Sequence, residues 1–485
     1  MKLEALTQRG EALHRELGLE YYLTGAGLKA KPAFQEIYDR FADLTGDEAL
    51  QAARESGSAT LLEWIVDLQV SRGVAEFEER QLMWEQDATV TVDDREVSYL
   101  RVPIELANMP ERAMRSRLDA ERAKIGAAAL TGLRRDRFGR EYELVEAVGL
   151  GGYVDAKSTL SAIDLDALGS SAVLFLDRTA DMYHDSLARF SKRRLGVPIG
   201  ELTRSDTAWL FRGDGFDAAF PADGLIERAT RQMQDMGLDA SQNGRVQFDT
   251  EERQRKQSRA FCVSVRVPEE VYLVLRPRGG HYDYRTFWHE LGHAMHFASV
   301  DPSLPFAAKW VGDNSVTEGF AMLWDHLTMN PGWLRLYADL SISEVEELTF
   351  ELAVGELFFV RRYAAKLLYE LELHRGLLAD PGPTYVDYLT SATRFAHLPE
   401  DALLDVDPGF YVARYLRAWQ LEAMLAAALT DRYDEDWYRN PGAGEFVQAL
   451  MQRGQADPAD RLAVDVAEHP LGFEQIVGRL ERLLT

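Results

Sequence analysis

Residues 286–296 read TFWHELGHAMH, and within them His289, Glu290 and His293 spell His-Glu-x-x-His. For these side chains to act together the segment must be an α-helix, where residues four apart sit one turn above another. At about 100° of rotation per residue, His289 and His293 fall about 40° apart on one face, with Glu290 beside them. Phe287, Trp288, Leu291, Ala294, Met295 and Ala298 fall on a different side, an apolar stripe about 120° wide. The segment therefore asks for a fold that buries one face of this helix while another addresses a cleft.

That geometry suits zinc. Two neutral imidazoles one turn apart can meet one ion and leave room for another protein ligand and a water. Zinc lowers the pKa of such a water toward neutrality, and Glu290 stands where it can take the proton. Two histidines and a glutamate at these offsets also recur by chance, and a solvated polar helix face satisfies the same periodicity. The third ligand separates the classes. After His293 the chain continues AMHFASVDPS, so His296 lies at the wrong spacing for a metzincin and reads as a packing or outer histidine. A second helical segment, SVTEGFAMLWDHL (315–327), offers Glu318, 25 residues after His293. There Phe320, Leu323, Trp324 and Leu327 share one side and Glu318 and Asp325 the opposite one, which a His2Glu site on one Zn2+ per chain requires. Asp325 either orients a ligand histidine through its ring N–H or is a surface aspartate.

These residues resemble the thimet oligopeptidase and oligoendopeptidase F family of gluzincins. The resemblance rests on TFWHELGHAMH with Glu318, and on RKQSRAFCVSVRVPEEVYLVLRP (255–277), where Arg259-Ala260-Phe261-Cys262 stands in place of a Gly-Ala-Phe-Cys-like stretch. It covers roughly residues 250–430. It implies a mainly α, multi-helix, two-lobed zincin fold enclosing a deep substrate channel, with a small antiparallel β element next to the His-Glu-x-x-His helix. It also implies a zinc peptidase cleaving short or unfolded oligopeptides. The family usually carries a histidine and then tyrosines on a late helix that stabilise the oxyanion. In DVDPGFYVARYLRAWQLEAML (405–425), Tyr411 and Tyr415 stand in similar positions, but Asp405 or Asp407 occupies the place of the histidine. Two phenols one turn apart can reach a common site, and either is a candidate oxyanion donor or a core tyrosine. His397 is a speculative substitute for the histidine. Arg414 and Arg417 are candidates for a peptide C-terminal carboxylate, or solvate a helix face.

The segment before the helix has a reading independent of family. FCVSVRV (261–267) and VYLVLR (271–276) read as a hairpin in which Phe261, Val263, Val265 and Val267 alternate inward. The edge formed by Phe261, Cys262 and Val263, continuing to residue 265, could pair with an extended peptide through backbone hydrogen bonds. Gly279 and Gly280 read as a flexible connector into the helix, not a phosphate loop, since no Lys-Ser/Thr follows.

The rest of the chain is helical in pattern. Amphipathic runs cover 58–87 and about 110–131, 163–192, 219–237, 343–378 and 408–430, and TVTVDDREVSYLRV (89–102) reads as a hairpin around Asp93-Asp94. Glycines near 149–153 and 196–200 suggest lobes at 1–200 and 201–485, the second carrying the catalytic motif. With 485 residues, the chain is short for the family, which implies a shallower channel or a reduced lobe. Its 54 basic and 79 acidic side chains give a net charge of −25, which argues against nucleic acid or anionic membrane as partners. One cysteine, no apolar N-terminal segment and no run of roughly 18–20 apolar residues point to a cytoplasmic protein. Oligomeric state is open. Two rival readings stand beside an oligoendopeptidase: a metallocarboxypeptidase using Arg414 or Arg417, and a metal-dependent peptide-binding protein that does not cut. Glu290 counts against the latter, because binding alone needs no base.

Overall fold

The computed structural model of the chain describes residues 1–376 and 378–484. It is mainly helical, with two small sheets. Long helices occupy Ala59–Asp87, Ile342–His374 and Tyr411–Tyr433, close to the periodic runs of the sequence; Arg112–Glu146 extends beyond the run at 110–131, and Leu3–Gly25 lies outside all of them. The run at 163–192 is instead two helices, Leu165–Arg178 and Ala180–Arg194. Arg361 donates to the Leu176 carbonyl at 2.6 Å and to the Thr179 hydroxyl at 2.6 Å, taking a carbonyl the helix would otherwise use. No single helix among the described residues is long and apolar enough to cross a membrane.

Two compact units divide the chain, and each is assembled from separated segments instead of the contiguous lobes 1–200 and 201–485. The first comprises Met1–Ile65, Gly213–Phe350 and Arg417–Arg479; the second comprises Val66–Arg212, Glu351–Leu416 and the C-terminal residues from Leu480. Three of the boundaries fall inside the long helices Ala59–Asp87, Ile342–His374 and Tyr411–Tyr433, where nothing punctuates the sequence for a reading to detect.

The second unit contains the hairpin β1 (Thr89–Val92) and β2 (Arg95–Ser98). Asp93 and Asp94 both take positive φ, 47° and 62°, as a two-residue turn matched to strand twist demands. Val90 and Val97 face its core, with Val102, Leu106 and Leu118.

The first unit holds β3 (Val246–Asp249), β4 (Phe261–Arg266) and β5 (Glu270–Val274) in the order β3-β5-β4. The β4–β5 pair is antiparallel, whereas β3 joins β5 in parallel. Only four residues long and flanked by polar chain, β3 has too little alternation to read from sequence. It is fastened by Asp249, whose side chain accepts from Lys256 at 2.9 Å and from Arg253 at 2.9 Å.

The His281–Ser299 helix packs against β4, β5 and the Asn314–Asp325 helix. Its entry is a fixed turn, not a flexible connector. Gly279 and Gly280 adopt φ of 83° and 91°, Gly280 donates to the Phe220 carbonyl at 2.8 Å, and Asp283 accepts from Gly279 N at 3.0 Å. A Cβ on Gly279 would sit 2.9 Å from that same Phe220 oxygen, so the backbone approach demands glycine.

Candidate metal centre

The His281–Ser299 helix buries the expected stripe: Phe287, Trp288, Leu291, Ala294, Met295 and Ala298 are all at most 1% exposed. The Asn314–Asp325 helix departs from expectation. Every residue from Ser315 to Asp325 is buried, so its polar side faces protein, not solvent. A carboxylate there must find partners inside the fold.

The two helices meet at Gly292, where an added Cβ would lie 2.5 Å from Ala321 Cα and 2.9 Å from the Phe320 carbonyl oxygen. This approach lets Glu318 reach both histidines. Its Oε2 lies 3.4 Å from His289 Nε2 and 3.7 Å from His293 Nε2, and one ligand atom from each residue falls within 4.8 Å of the others. Bonds of about 2.0–2.2 Å to a tetrahedral zinc separate its ligands by about 3.3–3.6 Å, so this spacing fits a shared ion. The start of the second helix is anchored by Asp313, which accepts from Ser315 N at 2.9 Å and from Ala459 N at 3.1 Å.

The other ring nitrogens are held as a metal ligand needs. His289 Nδ1 lies 2.9 Å from Asp325 Oδ2, and His293 Nδ1 lies 2.9 Å from Thr317 Oγ1. A carboxylate can only accept, so Nδ1 of His289 carries the proton and Nε2 is directed at the cluster. Asp325 is 5% exposed and is therefore no surface aspartate. Burial works against its charge, but Arg285, His326 and His289 hold its carboxyl well below the usual range. Burial also opposes charge on His289, yet without a metal Asp325 and Glu318 outweigh it and raise its pKa, so a proton on Nε2 occupies the position that a bound cation would take. His293 is brought down to about 4 by burial. The two imidazoles differ because one has a buried carboxylate behind it and the other only a hydroxyl.

Glu290 stands beside this cluster. Its Oε2 accepts from the backbone N–H of Cys262 in β4 at 2.8 Å, and burial raises its pKa. A base with an elevated pKa holds an abstracted proton better than an exposed carboxylate does. Burial also raises the Cys262 thiol well above its ordinary value, which keeps it protonated and poorly nucleophilic.

Other sequence candidates separate from the centre. His296 is fully buried, its ring 4.9 Å from Phe320 and 5.5 Å from Phe297, and burial takes its pKa to about 3. It is a neutral packing histidine. His397 is buried too, with Nδ1 2.8 Å from the Phe395 carbonyl and a pKa lowered by burial to about 4. Arg417 does not present an unengaged guanidinium to a substrate carboxylate: it binds Asp460 at 2.5 Å and lies 3.5 Å from Asp313. Arg414 is buried in the second unit, as are its neighbours Tyr411 and Tyr415 in part. The two tyrosine rings pack edge to face at 5.1 Å, and Tyr415 also meets Tyr363 at 5.4 Å. In β4, Phe261 and Val265 are buried as the alternation requires, whereas Val263 is half-buried. The strand is flanked at Ser264 by the Leu3–Gly25 helix, where a Cβ on Gly18 would lie 2.5 Å from the Ser264 oxygen. The expected open edge over 261–265 is therefore interrupted there.

Thr317 and Arg285 escaped the sequence reading. Each had a signal: Thr317 adjoins Glu318, and Arg285 lies one turn before His289 on the same helix face. No family model matches the chain, and no curated protein matches it at a significant level.

Proposed function

We propose that the chain is a zinc-dependent peptidase acting on oligopeptides, with His289, His293 and Glu318 holding the ion and Glu290 as general base. The observation that carries this reading is the convergence of two Nε2 atoms and Glu318 Oε2 at 3.4 and 3.7 Å, with Glu290 alongside. Bound zinc supplies Lewis acidity toward a water and the scissile carbonyl. Asp325 and Thr317 keep the ligand nitrogens aimed. Glu290, steadied through one oxygen by Cys262 N–H, takes the water's proton and delivers it to the leaving amine. Of the two arginines a carboxypeptidase would use, Arg417 is engaged by Asp460 and Asp313 and Arg414 is buried, which favours the endopeptidase reading.

The test is metal content together with turnover of a mixed peptide library, for wild type and Glu290→Gln. Stoichiometric zinc in both proteins, with cleavage only by wild type, is the expected result. Wild type without zinc removes the ligand assignment, and normal cleavage by the variant removes the role of Glu290.

A further inference from the structure

Beside β4 the first unit contains a cleft of about 340 Å³. Val263 and Ser264 line it from the strand, Leu17 and Phe34 from the N-terminal segment, and Phe297 and Trp310 from the region of the histidine helix. All six are only half-buried, so apart from Ser264 they leave apolar and aromatic surface unfilled in the cleft. This accounts for Val263, the one position in β4 that breaks the inward alternation.

Two links tie the cleft to the candidate centre. Phe297 follows His293 by one turn, and their rings lie 6.4 Å apart, nearly parallel at 21°. Val263 directly follows Cys262, whose N–H holds Glu290. From Cys262 to Ser264 a strand advances about 7 Å, which an extended peptide also covers in about two residues. None of the lining residues is Asp, Glu, Lys or Arg. The imidazole of His14, also in the wall, is kept neutral by burial, its pKa lowered to about 4. A charged side chain entering there would meet no counter-charge in the lining, whereas a large apolar one would cover the exposed rings. The volume lies at the lower end of the ~300–1,000 Å³ usual for ligand pockets, room for one large side chain and not for a folded partner.

We propose that this cleft receives a large aromatic or aliphatic side chain of the substrate, at one position within about three residues of the cleaved bond. The proposal rests on the peptidase reading above. It makes the enzyme selective for peptides with a bulky apolar residue at that position and poor toward acidic ones.

The test is a series of peptides with one mapped cleavage site, in which each of three positions on either side is varied among Phe, Leu, Ala and Asp. One position is expected to favour Phe or Leu over Asp by at least about tenfold in kcat/KM. Leu17→Trp, which fills the cleft, is expected to bring the Phe-to-Ala ratio at that position toward one. Phe34→Ala removes a wall instead of filling the space and is expected to lower the same ratio, so the outcome does not hang on one variant folding. Cleavage with no positional preference, or a ratio unchanged in both variants, overturns the subsite alone. No cleavage of any peptide overturns the subsite and the peptidase reading together.

Discussion

Two clusters of partly buried charged and polar groups, one in each unit, both centre on carboxylates and differ in what faces them. In the second unit Asp405 accepts from Arg362 at 2.6 Å and from Tyr385 at 2.7 Å, while Asp407 pairs with Lys366 at 2.8 Å. The chain supplies its own cations there, and Arg362 and Lys366 outweigh burial to hold the Asp405 carboxyl well below its ordinary range. In the first unit Glu318 and two imidazole Nε2 atoms converge, and the nearby Arg285 approaches Asp325, not Glu318. Guanidinium and ammonium groups close the one cluster, and imidazoles stand in the corresponding place in the other, where the proposed zinc would bind. A buried acidic group alone does not indicate a metal; what distinguishes the first cluster is imidazole lone pairs where the second has guanidinium and ammonium.

The largest break in this comparison should come from Glu290→Gln, expected to lower kcat by about 10³-fold with zinc retained, read by single-turnover kinetics and metal analysis. A crossed pair of variants sharpens it. Asp325→Asn should weaken zinc binding by about 10–100-fold, because His289 loses the charged, acceptor-only partner that fixes its tautomer. Asp405→Asn should instead cost about 1–3 kcal/mol of stability by leaving Arg362 short of a carboxylate, with zinc affinity unchanged. Competition with a chelating dye and urea unfolding read the two quantities, and equal effects of both variants on zinc would remove the distinction.

Two glycines extend the same contrast. Gly292→Ala forces a Cβ against Ala321 Cα and should cost about 1–3 kcal/mol while also weakening zinc, since it parts the two ligand-bearing helices. Gly409→Ala meets only the end of the Lys157 side chain, and its φ of 61° limits the expected cost to about 1–2 kcal/mol, without change in zinc affinity.

At neutral pH the smallest effect is that of titration, which grows only as the pH falls. His296 and His397 fold with pKa values lowered by burial from 6.5 to about 3 and about 4. The unfolded chain therefore binds more protons below pH 6.5, so stability is full above that value and declines as pH falls toward 4. His296→Leu should flatten the dependence of the urea midpoint between pH 6.5 and 4 in metal-free protein; an unchanged slope would exclude its contribution.

Much of this was legible along the chain because it depends on local geometry. A helix fixes the angle between residues four apart, so the placement of His289, Glu290 and His293 opposite Phe287, Leu291 and Ala294 follows from 3.6-residue periodicity. The hairpin at Asp93-Asp94 follows from residues that tolerate positive φ. Glu318 was legible as a carboxylate on the next helix, but its environment was not: a helix with one polar side was expected, and burial surrounds it completely. Which side chain meets which across elements was decided by packing. Sequence left Asp325 open between an orienting and a surface role, and only tertiary structure put it 2.9 Å from His289 Nδ1. Arg417 looked available until Asp460, 43 residues on, closed its fork. The backbone N–H of Cys262 and the Gly292 crossing carry no sequence signature beyond their spacing. Periodicity thus set what each element could present, and the approach of elements distant in sequence determined what each presentation meets.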